Sequence, residues 1–292
     1  MATLRDIKRR IKSVQSTQQI TKAMKMVAAA KLRRAQENII NARPYAYEIY
    51  KMFSHLVTEI DLNTNIFLKP KEVKNVAVLI VTADRGLCGA FNANIIKEAG
   101  RYIAEDLEAK NLNTHLVCVG NKGYEFFRKR DYNVVFKKTG FFSSLSFQDA
   151  LEISDHLISG YEENIYDRVV VIYNEFKSII QQKIVFEQFL PIPIENKEEK
   201  EKHNYTNYIF EPGQKHIFNY LLPKHLRAQI WRILLESNAA ELGAKMTAMD
   251  NATTNAKEMI RTLQLKYNKE RQAAITKEIL EIVSGANALK AG

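Results

Sequence analysis

Two glycine-bearing turns are the first places in this 292-residue chain where residue type and spacing could do chemistry. Asp84-Arg85-Gly86-Leu87-Cys88-Gly89 follows the apolar run 76–81, and Gly120-Asn121-Lys122-Gly123 follows a second extended segment. Glycines at a strand-to-helix turn can bring backbone N–H groups to a phosphate. Neither segment carries GxGxxG or a P-loop pattern, and no acidic residue is spaced to read a ribose. The pattern therefore favours tight turns that let helices pack on a sheet. Asp84 and Arg85 read equally well as a local ion pair.

Other reactive groups are scattered. No serine sits in a GxSxG elbow, and no Ser/His/Asp or Cys/His grouping emerges. Glu162-Glu163 and Glu198-Glu199 lie at a helix end and in a charged loop, not as an acid/base couple. The six histidines (His55, His115, His156, His203, His216, His225) show no HExxH spacing, and Cys88 and Cys118 have no CxxC partner. A structural zinc needs about four clustered ligands. Two ordinary thiols in a reducing compartment are expected, with no metal, no cofactor and no enzyme chemistry on this chain alone.

Charge is the next signal. The formal net charge is +10, and residues 1–34 hold ten Lys or Arg against the single acid Asp6. Such a stripe suits nucleic acid, anionic lipid or an acidic protein surface, or simply a solvated helix face. No apolar run approaches the roughly 20 residues of a membrane span, and no apolar block follows the N-terminal charges, so neither a span nor a secretory signal is expected.

The elements that must position these groups begin with a heptad. With Leu4 as position a, the a and d positions run Leu4, Ile7, Ile11, Val14, Gln18, Thr21, Lys25, Ala28, Leu32, Ala35, Ile39, Ala42, Ala46, Ile49, Phe53, Leu56, Ile60. Only Gln18, Thr21 and Lys25 are polar, as in a coiled-coil strand broken by one polar stretch. At 1.5 Å per residue this helix would be roughly 85–90 Å long, bent locally at Pro44. A second helix is predicted from Pro223 to about Ser284, with Gly285 as its stop. Its stripe is Leu235, Ala239, Leu242, Met246, Met249, Thr253, Ala256, Ile260, Leu263, Tyr267, continuing after a slip as Ile275, Ile279, Ile282. Small residues on both sides (28–30; Ala239, Ala240, Gly243, Ala244) favour an antiparallel pair within one chain over a dimerising rod.

One set does not fit that pair. Ile20, Met24 and Val27 lie off the seam where the seam itself turns polar. Either the seam shifts locally, or this stretch sits inside a third body.

Between the helices the period changes. Residues 76–81 form an apolar, β-branched run suited to a strand buried on both faces. Helix is predicted over 92–110, strand over 114–119, helix over 121–130, helix over 146–163 with a Ser146 cap, strand over 168–173, and an extended segment over 183–194 holding Pro191 and Pro193. This alternation implies a mostly parallel sheet with right-handed crossovers. The charged segment 196–207 reads as a loop. The expected fold is therefore α/β: a long antiparallel coiled coil of the terminal helices plus a small Rossmann-like domain, divided as 1–62, 73–210 and 211–292.

Three motifs carry a resemblance. STQQITKAMKMVAAAKLRR at 16–34 resembles the N-terminal helix signature of the gamma subunits of F-type ATP synthases. LQLKYNKERQAAITKEILEIVSG at 263–285 resembles their C-terminal signature, and DRGLCGAFN at 84–92 the turn after their first strand. The resemblance runs the whole chain in order and is weakest over 131–215. It implies a non-catalytic central-stalk rotor that carries torque between a membrane c ring and a catalytic ring of α and β subunits, beside an epsilon subunit, on the cytoplasmic side of the membrane. It implies that the basic stripe faces acidic loops of the β subunits, near Met24 and Lys25. Arg271, Gln272 and Thr276 match contacts of the same region, and Lys245 a basic site on the adjoining helix surface. Tyr208 matches a foot aromatic beside epsilon and the c ring. The apolar tip of Ile275, Ile279, Ile282 and Leu289 would turn in an apolar collar. Without cysteine in 196–207, the chain lacks the regulatory dithiol of plant relatives and matches the non-photosynthetic bacterial type. The rival reading is a basic coiled coil that binds nucleic acid, weakened by the lack of any aromatic in 1–34 for base stacking.

Overall fold

The computed structural model describes residues 3–59, 65–69, 71–193, 211 and 213–291. They fall into two compact units, one of residues 1–28 with 246–292 and one of residues 29–245. Two helices supply segments to both: α1 (Leu4–Glu59) and α5 (Gln214–Ala291).

In the first unit, α1 starts on a capping box. Thr3 Oγ1 accepts from the Asp6 N–H at 3.2 Å, and the Asp6 carboxylate accepts from the Thr3 N–H at 3.2 Å. This meets donors that the helix itself leaves unpaired. The two helices then pair antiparallel, with Thr21 against Thr253 (Oγ1 to Oγ1, 2.8 Å) and Lys25 against Asp250 (2.6 Å). Ile7, Thr21, Ala28, Met249 and Ala256 are buried, and Gln18 and Lys25 half-buried. The seam therefore keeps its register straight through the polar stretch, replacing apolar packing by a hydroxyl pair and an ion pair. Two of the three off-seam residues stay outside it, Ile20 59% and Val27 57% exposed, while Met24 is half-buried beside Lys25.

In the second unit, five strands form one sheet in the order β3-β2-β1-β4-β5. These are β1 (Asn75–Val81), β2 (Asn113–Val119), β3 (Val134–Lys138), β4 (Arg168–Phe176) and β5 (Gln182–Leu190). The first four are mutually parallel, and β5 returns antiparallel on β4 as the partner of a hairpin. Three helices complete the layers: α2 (Phe91–Tyr102), α3 (Asn121–Arg128) and α4 (Phe147–Glu162). Side-chain alternation on β1 divides the core. Val76, Val78 and Ile80 pack under α2 and α3 with Ile95, Ala99 and Phe127. Ala77, Leu79 and Val81 pack under α4 and the terminal helices with Ile153, Leu157, Leu56, Ile230 and Leu234. On the same side Phe53 of α1 stacks on His225 of α5 at 4.7 Å. Each such buried Val, Leu, Ile or Phe side chain stabilises by about 1.5–3 kcal/mol.

Several expectations need correcting. Pro223 does not open α5 but lies inside it, nine residues past Gln214. The lost N–H bond is outweighed by Phe218, Leu221, Leu222 and Leu226, which are buried on the same helix and hold it continuous. Gly285 does not stop α5 either; the helix runs on to Ala291. The strand β3 adds to the expected elements: five residues on an edge, half-exposed, give only a weak period-2 signal. The predicted helix 92–110 is α2 followed by a π-helical turn at Ile103–Leu107 and a 3-10 turn at Glu108–Lys110. Ser146 caps α4 in a capping box with Asp149, as expected.

Candidate functional site

The strand order 3-2-1-4-5 places the topological switch between β1 and β4, and a doubly wound sheet takes its ligand outside the strand C-termini at that switch. Here the place is filled by the chain itself. Ala83, just past β1, Cys88 and Phe91 pack against Ala240 of α5, with Phe176 at the end of β4 and Ala244 alongside. A Cβ built on Gly243 would stand 3.4 Å from both the Ile179 carbonyl oxygen and the Phe176 ring. Small residues at 240, 243 and 244 are what let α5 approach so closely.

The second glycine turn is closed in the same way. A Cβ on Gly120, whose φ is +89°, would lie 2.0 Å from the Thr82 carbonyl oxygen. Thr82 Oγ1 takes the Gly123 N–H at 2.9 Å, the Lys122 N–H goes to Ala83 O at 3.1 Å, and the Asn121 N–H to Asp84 Oδ1 at 3.2 Å. The amides that could cradle a phosphate at the start of α3 are thus already bonded, and the glycines serve close packing. Backbone donors, rather than the Arg85 ion pair that the sequence equally allows, take up the Asp84 carboxylate. It also accepts the Gly140 N–H at 2.7 Å and the Phe142 N–H at 3.2 Å, pinning the loop after β3. Both cysteines are free and buried; burial pushes Cys118 up to about 12 and raises Cys88 as well. Neither is a reactive thiolate.

The residues matched to partner contacts do not converge on one point. In the first unit, Met24 is half-buried and Lys25 is joined to Asp250. Arg271, Gln272 and Thr276 are exposed on α5, about 30 Å further along that helix at 1.5 Å per residue. Thr276 Oγ1 donates back to the Gln272 carbonyl at 2.9 Å. Leu265, Ile275, Ile279, Leu280, Ile282 and Val283 are all exposed. At roughly 100° per residue they cover an arc of about 160°. In the second unit, Lys245 lies mostly covered against Glu241 at 2.7 Å, and Glu241 is buried. Tyr208 and the charged segment 196–207 lie outside the described residues, as does the side chain of Leu289. Of the ten basic residues in 1–34, all but Lys25 are exposed.

One polar centre escaped sequence reasoning. Arg232 of α5 grips both carboxylate oxygens of Glu187 on β5 at 2.8 and 2.9 Å. The Tyr173 hydroxyl donates to Glu187 at 2.9 Å and Gln229 donates to it at 2.7 Å. Burial works against the Glu187 charge, but Arg232 and the hydrogen bonds outweigh it and hold the carboxyl below its usual range. Burial also keeps neighbouring His225 neutral, helped by Arg232, with its ring pushed down to about 4. The partners are 14 to 45 residues apart, so no local spacing signals them.

The ATP synthase family model matches residues 3–289. The ATP synthase gamma chain of Chlorobaculum tepidum is 54% identical over 99% of this chain and 100% of that one. The gamma chain of Chloroherpeton thalassium is 52% identical over 99% of each. Among solved structures, a chain of the Tetrahymena thermophila mitochondrial ATP synthase central stalk and c ring matches at TM-score 0.60 and 25% identity, over 80% of this chain and 99% of that one. A chain of the Euglena gracilis mitochondrial OSCP/F1/c-ring assembly shares the fold at TM-score 0.68 and 20% identity, over 99% of this chain and 95% of that one. The nucleic-acid-binding alternative finds no support among these relatives. With matching of this extent, over both terminal helices and the sheet between them, the chain belongs to the ATP synthase gamma-chain family.

Proposed function

We propose that this chain is the central rotor of an F-type ATP synthase, a non-catalytic subunit that carries torque between a c ring in the membrane and a ring of α and β subunits. The observation that carries the reading is apolar surface outside the helix seam: Ile20 and Val27 on α1 and the arc from Leu265 to Val283 on α5. Apolar side chains left outside a pairing helix are stable in water only at some expense, and an enclosing ring would remove them from it. The self-filled switch point supports a chain that binds no nucleotide of its own.

The mechanism follows from asymmetry. Met24, Lys25, Arg271, Gln272 and Thr276 would meet the β subunits at different heights, so each rotor angle presents a different surface to each of three otherwise equivalent partners. Rotation then drives packed, bistable interfaces in sequence, and no bond is made or broken on this chain. Lys245 would contribute at the adjoining helix surface. The α/β segment 73–210, with Tyr208, would stand on the c ring beside epsilon, with 1–62 and 211–292 as the coiled-coil arms. In such a complex the chain would lie peripherally on the cytoplasmic face of the cell membrane. No helix among the described residues is long and apolar enough to cross a bilayer.

Native mass spectrometry of this chain co-expressed with its own α and β subunits tests the reading. Three α, three β and one copy of this chain in a single assembly are expected. A free chain or a symmetric homodimer would overturn it.

A further inference from the structure

In the second unit a cavity of about 840 Å³ opens between α1, α5 and the end of β5. It arises where the α1 seam turns small at Ala42 and where Pro44 interrupts the helix surface, so the two helices leave space that larger side chains fill elsewhere. Tyr47, Trp231, Ile192, Pro193 and Leu235 make its walls predominantly apolar. Its size and lining match those of organic-ligand sites in general.

The charged groups facing it are Arg43, Glu187, Arg232 and Glu236, with His225 neutral among them. Arg232 Nη2 donates to both oxygens of Glu187. Glu236 is different: Oε1 takes Arg232 Nη1 at 3.3 Å, while Oε2 is buried with no hydrogen-bond partner. A buried acceptor without a donor is destabilising, and the terminal torsion of a glutamate is soft enough to turn that oxygen toward an entering donor. Burial raises the carboxyl's affinity for a proton against the pull of Arg232, as expected of a charge lacking a full set of partners.

From the apolar walls and the orphaned Glu236 oxygen, we infer that this cavity is a binding site for a small organic ammonium ion, its apolar body between α1 and α5 and its N–H groups on Glu236. Such a ligand would bridge the two terminal helices where they meet the sheet, independently of whether the chain turns as a rotor.

The chain's single tryptophan, Trp231, lines the cavity and reports occupancy. The probes are adamantan-1-amine, adamantan-1-ol and adamantane-1-carboxylate, which share one apolar body and do not absorb where tryptophan does. Saturable change in Trp231 fluorescence is expected with the amine, at least about tenfold tighter than with the carboxylate, since one charge-assisted hydrogen bond is at stake. Glu236→Gln should remove that preference, and Ala42→Leu should abolish binding of all three with circular dichroism unchanged. Equal affinity for amine and carboxylate, or undiminished binding to the Ala42→Leu chain, would overturn the inference. So would loss of binding once the chain is assembled with α, β and epsilon, because a neighbouring subunit then covers the cavity. A failed assembly with intact probe binding would count against the rotor reading alone.

Discussion

Replacing Ile20 and Val27 together by serine separates a side chain packed within the helix pair from one reserved for a partner. Serine has nearly the helix propensity of isoleucine and valine, so the substitution leaves the backbone preference of α1 almost unchanged. In the free chain both side chains are more than half exposed, at 59% and 57%, and removal should shift its unfolding free energy by no more than about 0.5 kcal/mol each. Within an enclosing ring the remaining exposed fraction would be buried. Full burial of such a side chain contributes about 1.5–3 kcal/mol, so slightly over half of that at two sites gives roughly 2–3 kcal/mol. Affinity for the α/β hexamer should therefore fall by about 30- to 150-fold. Leu32→Ser provides the contrast: Leu32 is a buried seam residue, and its loss should cost the free chain about 2–5 kcal/mol. The assays are denaturant unfolding of the free chain and titration of labelled chain into hexamer. A large drop in the free chain's stability for the double variant would refute the exposure of the strip. Unchanged hexamer affinity would refute its enclosure.

Arg271→Ala with Gln272→Ala should reduce ion pumping per ATP hydrolysed in membrane vesicles while leaving the free chain's stability within about 0.5 kcal/mol, because both residues are exposed on α5; an unchanged ratio would exclude them from coupling. His225 binds its proton near 6.5 unfolded but only near 4 folded, so the unfolded chain takes up the proton first and stability falls as pH drops from about 6.5 toward 4. Its share should be about 2 kcal/mol between pH 7 and pH 5, measured by urea unfolding, and His225→Phe should flatten that part of the profile. Gly120→Ala should destabilise by about 3 kcal/mol or more, since its Cβ would overlap the Thr82 carbonyl at positive φ, whereas Gly86→Ala, with nothing within 4 Å, should be nearly neutral in thermal melts. Glu187→Ala should cost about 3 kcal/mol in the same melts by leaving the Arg232 guanidinium without the carboxylate that its Nη2 bonds.

Periodicity and β-branched runs are local signals, so the helix pair, the alternating α/β core and the strands buried on both faces are legible in the residues alone. The heptad assigns Leu4 to Leu56 to one face, where every member with a described side chain is buried or half-buried, and the Ser146 cap is readable from its own neighbours. Three features depend on contacts between residues far apart in the chain. Pro223 and Gly285 are breakers by local propensity, yet α5 passes through both; at Pro223 buried neighbours supply what the backbone loses. The glycine turns could have held a phosphate, and only the fold brings Thr82 against Gly120 and Ala240 against Ala83 to fill them. Ile20 and Val27 could have marked a shifted seam. The Thr21–Thr253 and Lys25–Asp250 pairs, more than 200 residues apart in the chain, hold the register in place and leave those side chains facing outward. A heptad states which residues can face a partner; which partner each one faces depends on contacts the chain makes only after it has folded back on itself.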